Sequence, residues 1–88
     1  MIQKWIIYND EQTAIDLINQ IDLCEGFPTE STITYIESPE PFYLKDGMEF
    51  IGYGIPVFSW IMRCLTQEQI DSIQEIEINE YITDDPNI

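Results

Sequence analysis

Seventeen of the 88 residues are Asp or Glu and only three are Lys or Arg, with no His, so the formal net charge is −14. A like-sign excess of this size repels itself in a compact chain, and a small domain has little stability to set against it. The carboxylates must therefore stay on the surface, and the core must come from apolar residues spaced regularly between them. Hydrophobic residues make up 44% of the chain, too many for an acidic disordered tail and enough for one modest core. The expectation is a single domain over residues 1–82, followed by a polar tail at 83–88.

Periodicity marks the expected elements. Ile2 to Tyr8 is β-branched and aromatic and reads as a strand. A helix follows, with Asn9 as its cap and Gln12 at the capping-box position. Ala14, Leu17, Ile18, Ile21 and Cys24 recur on one helix face, and Thr13, Asp16, Asn19 and Gln20 fall on the other. Gly26 with Phe27-Pro28 supplies the stop. Ser31 to Glu37 reads as a second strand, ended by Pro39 and Pro41, which do not suit a central strand. Asp46-Gly47 between two apolar segments predicts a hairpin, with both turn residues at positive φ.

After a loose Gly52-Tyr53-Gly54, alternation from about Val57 to Arg63 predicts a central strand, with Trp60 in the core. Thr66 and Gln69 form a capping box, and Leu65 with Ile70 a hydrophobic staple, for a short second helix. From Glu75 to Tyr81 the period returns to two, with Ile76 and Ile78 inward and Glu75, Glu77 and Asn79 outward. The fold class expected is α+β: a split β-α-β (ferredoxin-like) antiparallel sheet with two helices on one face and an extra hairpin.

The chemistry carried by the residues is sparse. Without His there is no imidazole base, and neither a GxSxG elbow nor a glycine-rich phosphate loop occurs. Cys24 and Cys64 lack metal-ligand spacing, and their spacing leaves both free thiols and a disulfide open. The reading is a non-enzyme with no cofactor and no metal. Lys4, Lys45 and Arg63 are too few to neutralise phosphates, so direct binding to nucleic acid or an anionic membrane is not expected. No apolar run reaches the length of a membrane span and the N-terminus lacks a signal-peptide pattern, which predicts a soluble, intracellular protein.

The acids themselves form the candidate site. The last quarter has no Lys or Arg after Arg63, and it carries Glu68, Asp71, Glu75, Glu77, Glu80, Asp84 and Asp85. Outward residues two apart on a strand repeat every ~6.6 Å, and residues three apart on a helix share a face. These residues, with Tyr81 as an aromatic anchor, are expected to form a negative ridge imitating a phosphate backbone. Tyr43 and Tyr53, near turns, are further candidate anchors. The expected partner is a basic protein surface of the kind that binds nucleic acid.

The segments IIYNDEQTAIDLINQI, GFP, TITYIESPEP and GYGIPV resemble small acidic phage-encoded proteins over about the first two thirds of the chain. That resemblance implies a phage or mobile-element origin, within a class that includes anti-CRISPR inhibitors of host defence nucleases and proteins encoded among virion genes. The function expected is a non-catalytic inhibitor acting in the host cytoplasm, with a virion or tail accessory protein as the alternative. An immunity or antitoxin protein against a basic toxin is a further one.

Overall fold

The computed structural model describes residues 1–26 and 35–83. The order of elements is β1 (Ile2–Tyr8), α1 (Glu11–Glu25), β2 (Glu40–Leu44), β3 (Glu49–Pro56), α2 (Gln67–Asp71), β4 (Gln74–Glu77) and β5 (Tyr81–Ile82), with 3₁₀ turns at Asp46–Met48, Ser59–Cys64 and Ile78–Glu80. The strands form one sheet in the order β4-β1-β3-β2-β5. Every pairing in it is antiparallel.

Strand order and connectivity together require the sheet to curl. The edge strands β4 and β5 are consecutive in the chain, joined only by the 3₁₀ turn Ile78–Glu80. In a flat sheet those edges would lie ~19 Å apart at the usual strand spacing. Four Cα–Cα steps reach ~15 Å at full extension, and a 3₁₀ turn reaches far less. The edges must therefore bend toward each other, which encloses one face of the sheet.

Both faces of β1 are consequently buried. Ile6, 1% exposed, lies under α1 with Ala14, Leu17, Ile18, Ile21, Ile55, Val57 and Ile61. Trp5 points to the enclosed face, edge-on to Phe42 (5.2 Å between ring centroids) and to Tyr81 (5.5 Å), while Phe42 and Tyr81 stack at 4.7 Å. Gly54 makes room for this cluster, because a Cβ there would lie 3.0 Å from both Phe42 Cδ2 and Trp5 Cε3. Gly52 has φ +145°, and a Cβ on it would meet the Tyr8 carbonyl oxygen at 2.5 Å. Gly52-Tyr53-Gly54 is thus strand, where rings and backbone approach too closely for side chains, and not the expected loose segment.

Helix α1 begins one residue later than expected. Asp10, not Asn9, is the cap, with extended backbone and a carboxylate accepting from the Thr13 N–H at 2.9 Å. The expected inward face is correct for Ala14, Leu17, Ile18 and Ile21, and Gly26 closes the helix at φ 78°. Burying a Leu or Ile stabilises by about 1.5–3 kcal/mol, so that stripe holds the helix to the sheet. At its far end Cys24 is disulfide-bonded to Cys64, with Cα atoms 5.7 Å apart. Arg63 grips Glu25 through Nε and Nη2 at 3.2 and 2.7 Å, placing a cation at the negative end of the helix dipole.

Three further expectations are corrected. Positions 31–34 of the second expected strand lie outside the described residues, and Tyr35 to Glu37 are not strand. The hairpin is no addition: β2 and β3 are its arms, and its positive φ values fall on Gly47 and Met48 instead of Asp46 and Gly47. Pro41 sits in β2, at a position where β5 makes no pairing among the described residues, since it pairs only with Tyr43 and Leu44.

The expected central strand at Val57 to Arg63 is the 3₁₀ turn Ser59–Cys64. Its period of three turns Ile61 and Cys64 inward and leaves Trp60 48% exposed, so Trp60 is not core. Likewise Ile78, expected inward, is 43% exposed because the chain leaves β4 at Glu77 to make its turn.

Candidate functional site

The expected acidic ridge is built from the sheet margin beside β1. Glu75 and Glu77 lie in β4, opposite Lys4 and Ile2 of β1 respectively, so both carboxylates leave the sheet on one face. Glu68 lies on α2 near Tyr8, at the other end of β1, where its charge and, more strongly, partial burial push the Tyr8 hydroxyl above its ordinary pKa. Glu77, Glu75 and Glu68 therefore lie beside β1 from Ile2 to Tyr8. Asp71, the last residue of α2, accepts from the Gln67 amide at 2.9 Å.

The capping box of α2 is present as expected, and it does more than end a helix. Gln69 accepts from the Thr66 N–H and exchanges two hydrogen bonds with Gln20 of α1, at 2.8 and 3.1 Å. Gln20 also donates to the Cys64 carbonyl at 2.7 Å. This amide pair, which fixes α2 and hence Glu68 against α1, was not legible in the sequence, since Gln20 falls on the polar side of the helix.

Two of the seven ridge acids face cations distant in sequence, and one of the two, Glu77, forms an ion pair. The Met1 ammonium reaches Glu77 at 3.2 Å, and Lys4 stands directly across from Glu75. Glu80 lies in the turn between β4 and β5, in a hollow shared with Lys45 and Asp46, and its carbonyl accepts from the Lys45 N–H at 2.9 Å. Tyr81 is half-buried in the Trp5–Phe42 cluster, so its ring is engaged inside the curl. Asp84 and Asp85 lie outside the described residues.

Two of the three cationic side chains share one end of the sheet with the terminal ammonium. Met1 and Lys4 begin β1, and Arg63 is held at the last turn of α1, which runs back over the sheet to that same end. Beside them lies an apolar groove of about 510 Å³ lined by Ile2, Lys4, Phe58, Trp60 and Met62 among others. At the opposite end are Asp10 and Glu11 of α1, Glu68, and Asp46 and Glu49 of the hairpin, with Lys45 beside Asp46. That end presents a row of rings, Tyr43–Phe50 at 5.3 Å and Phe50–Tyr53 at 5.4 Å. Tyr43 and Tyr53 are half-buried and Phe50 is 46% exposed.

Among the described residues no three Cys, Asp or Glu side chains converge as a metal-binding group. No helix there is long and apolar enough to cross a membrane. Compared with known protein families, curated proteins and solved structures, the chain matches none.

Proposed function

We propose that this protein is a non-catalytic acidic inhibitor that occupies the basic, nucleic-acid-binding surface of another protein. A host defence nuclease is the partner class implied by its resemblance to phage-encoded proteins. The observation that carries this reading is the charge distribution: a net −14 with Lys4, Arg63 and the terminal ammonium at one end, so that Lys45 is the one cationic side chain on the acidic flank from Glu68 to the hairpin. Opposite potentials on two surfaces steer encounter and exclude wrong partners, and five carboxylates against one Lys leave that end strongly negative.

We read the fold as a variant of the split β-α-β arrangement. In support, β3 separates β1 from β2 and β1 separates β3 from β4, with β5 added beside β2. Such a scaffold hosts many functions and lends no weight to one. The alternative of a virion accessory protein is favoured by the groove around Phe58 and Trp60, whose apolar rim suits permanent docking.

Capture from host lysate at low salt, followed by elution with duplex DNA, tests the proposal. A protein released by DNA at the ionic strength of capture is held through its nucleic-acid-binding surface, as expected. Capture of proteins that DNA fails to displace refutes occlusion of such a surface.

A further inference from the structure

The hairpin of β2 and β3 combines exposed aromatic faces with carboxylates and commits to one kind of occupant. Register explains the row. Tyr53 pairs with Tyr8 on the α1 side of the sheet, and the irregularity between Phe42 and Tyr43 skips Ile51, which brings Phe50 opposite Tyr43 on that same side. Helix α1 covers Ile6 and Ile55 but starts only at Glu11, so no helix among the described residues covers the rings beyond Tyr53. A half-exposed ring such as Phe50 is costly to leave in water, and surface aromatics of this kind are enriched at binding sites.

Its chemistry is set by what surrounds it. Asp46 and Glu49 flank the hairpin, Asp10, Glu11 and Glu68 lie at the same end of β1, and Lys45 shares its hollow with Asp46 and Glu80. An anion is repelled there, and a neutral apolar partner would strand the carboxylates without water. A guanidinium satisfies both demands, since its plane lies flat on an aromatic face while its edge donates in a fork to a carboxylate. An ammonium is a compact, strongly hydrated point charge and gains less from a ring.

We propose that the Tyr43–Phe50–Tyr53 row is a docking surface for an arginine-rich segment of a basic protein. It rests on the reading that the partner is basic, and it adds which face is used and which cation is preferred. The groove at Phe58 and Trp60 lies at the cationic end and takes no part.

Nona-arginine and nona-lysine peptides are the probes, titrated into the whole protein at low salt. Nona-arginine should bind more tightly by about threefold to tenfold, as expected from one or two exposed cation–aromatic contacts. It should also shift the ring resonances of Tyr43 and Phe50 but not those of Trp60. Phe50→Leu, which keeps an apolar side chain at a half-exposed position, should erase most of the preference, whereas Trp60→Leu should retain it. If neither peptide binds, the basic-partner reading and this surface both fail. If both bind but the preference survives Phe50→Leu, or the Trp60 ring moves instead, the docking surface is wrong and the basic-partner reading stands. The ring shifts in the unaltered protein decide the matter even if Phe50→Leu is poorly folded.

Discussion

Reducing the Cys24–Cys64 bond should destabilise this protein more than most single substitutions. The two residues are separated by 40 positions, and the bond joins the last turn of α1 to the 3₁₀ turn after β3. Closing a loop of that length removes entropy from the unfolded chain worth about 4 kcal/mol at 25 °C in the chain-entropy account. A domain of this size has a total stability of about 4–13 kcal/mol. At about 4–8 °C per kcal/mol, the loss corresponds to a fall in Tm of roughly 15–30 °C.

Neighbouring contacts set how much of this is seen. The Arg63–Glu25 pair and the Gln20 bond to the Cys64 carbonyl hold the same junction, but Arg63 is exposed and solvent screens its pair strongly. They cannot replace the covalent link. The assay is thermal melting by near-ultraviolet circular dichroism, with and without a phosphine reductant, alongside thiol titration. The Cys24→Ser, Cys64→Ser double variant serves as the permanently open form. Cys24 is exposed, so reductant should reach it without unfolding. If oxidised and reduced protein melt within about 3 °C of one another, against the roughly 15–30 °C expected, the staple contributes nothing and the reasoning fails. The outcome bears on function, because the bond would be reduced in most cytoplasms.

Four further outcomes are expected. Ile18→Ala, at a 4% exposed position between α1 and the sheet, should lose about 2–5 kcal/mol in denaturant melts, whereas Thr13→Ala, which removes only an exposed hydroxyl bond to the Asp10 carboxylate, should lose about 1 kcal/mol or less. Phe42→Ala should cost about 3–5 kcal/mol and unstack Tyr81, read as a change in tyrosine fluorescence. Gly52→Ala combines a φ closed to L-residues with a clash against the Tyr8 carbonyl, so a loss of about 3 kcal/mol or more is expected in the same melts. Burial raises the Tyr35 and Tyr8 hydroxyls above the ordinary pKa of 10.0. The unfolded chain therefore releases those protons first, so stability should be intact below pH 10 and fall as pH rises beyond it. Tyr35→Phe should flatten that alkaline decline.

What local sequence determined is what local physics controls. The α1 stripe, the Gly26 stop, the Thr66–Gln69 box and the Asp46-Gly47 hairpin each depend on residues within a few positions of one another, and each is present. The charge of −14 is likewise a property of composition. The run from Val57 to Arg63 failed because a short apolar segment satisfies periods of two and of three equally well, and only packing of Ile61 and Cys64 beneath α1 selected the second. Gly52 and Gly54 resembled a loop because the rings and carbonyl that require them come from β1 and β2.

Tertiary structure alone decided the electrostatics of the surface. The stretch after Arg63 contains no cation, yet strand pairing sets Lys4 across from Glu75 and the chain's own ammonium on Glu77. Charge in sequence is additive, whereas potential in space depends on distance, and distance is set by which strands pair. The Cys24–Cys64 bond and the exposed row of Tyr43, Phe50 and Tyr53 belong to the same category. The bond joins segments 40 residues apart, and exposure of the row depends on where α1 stops covering the sheet.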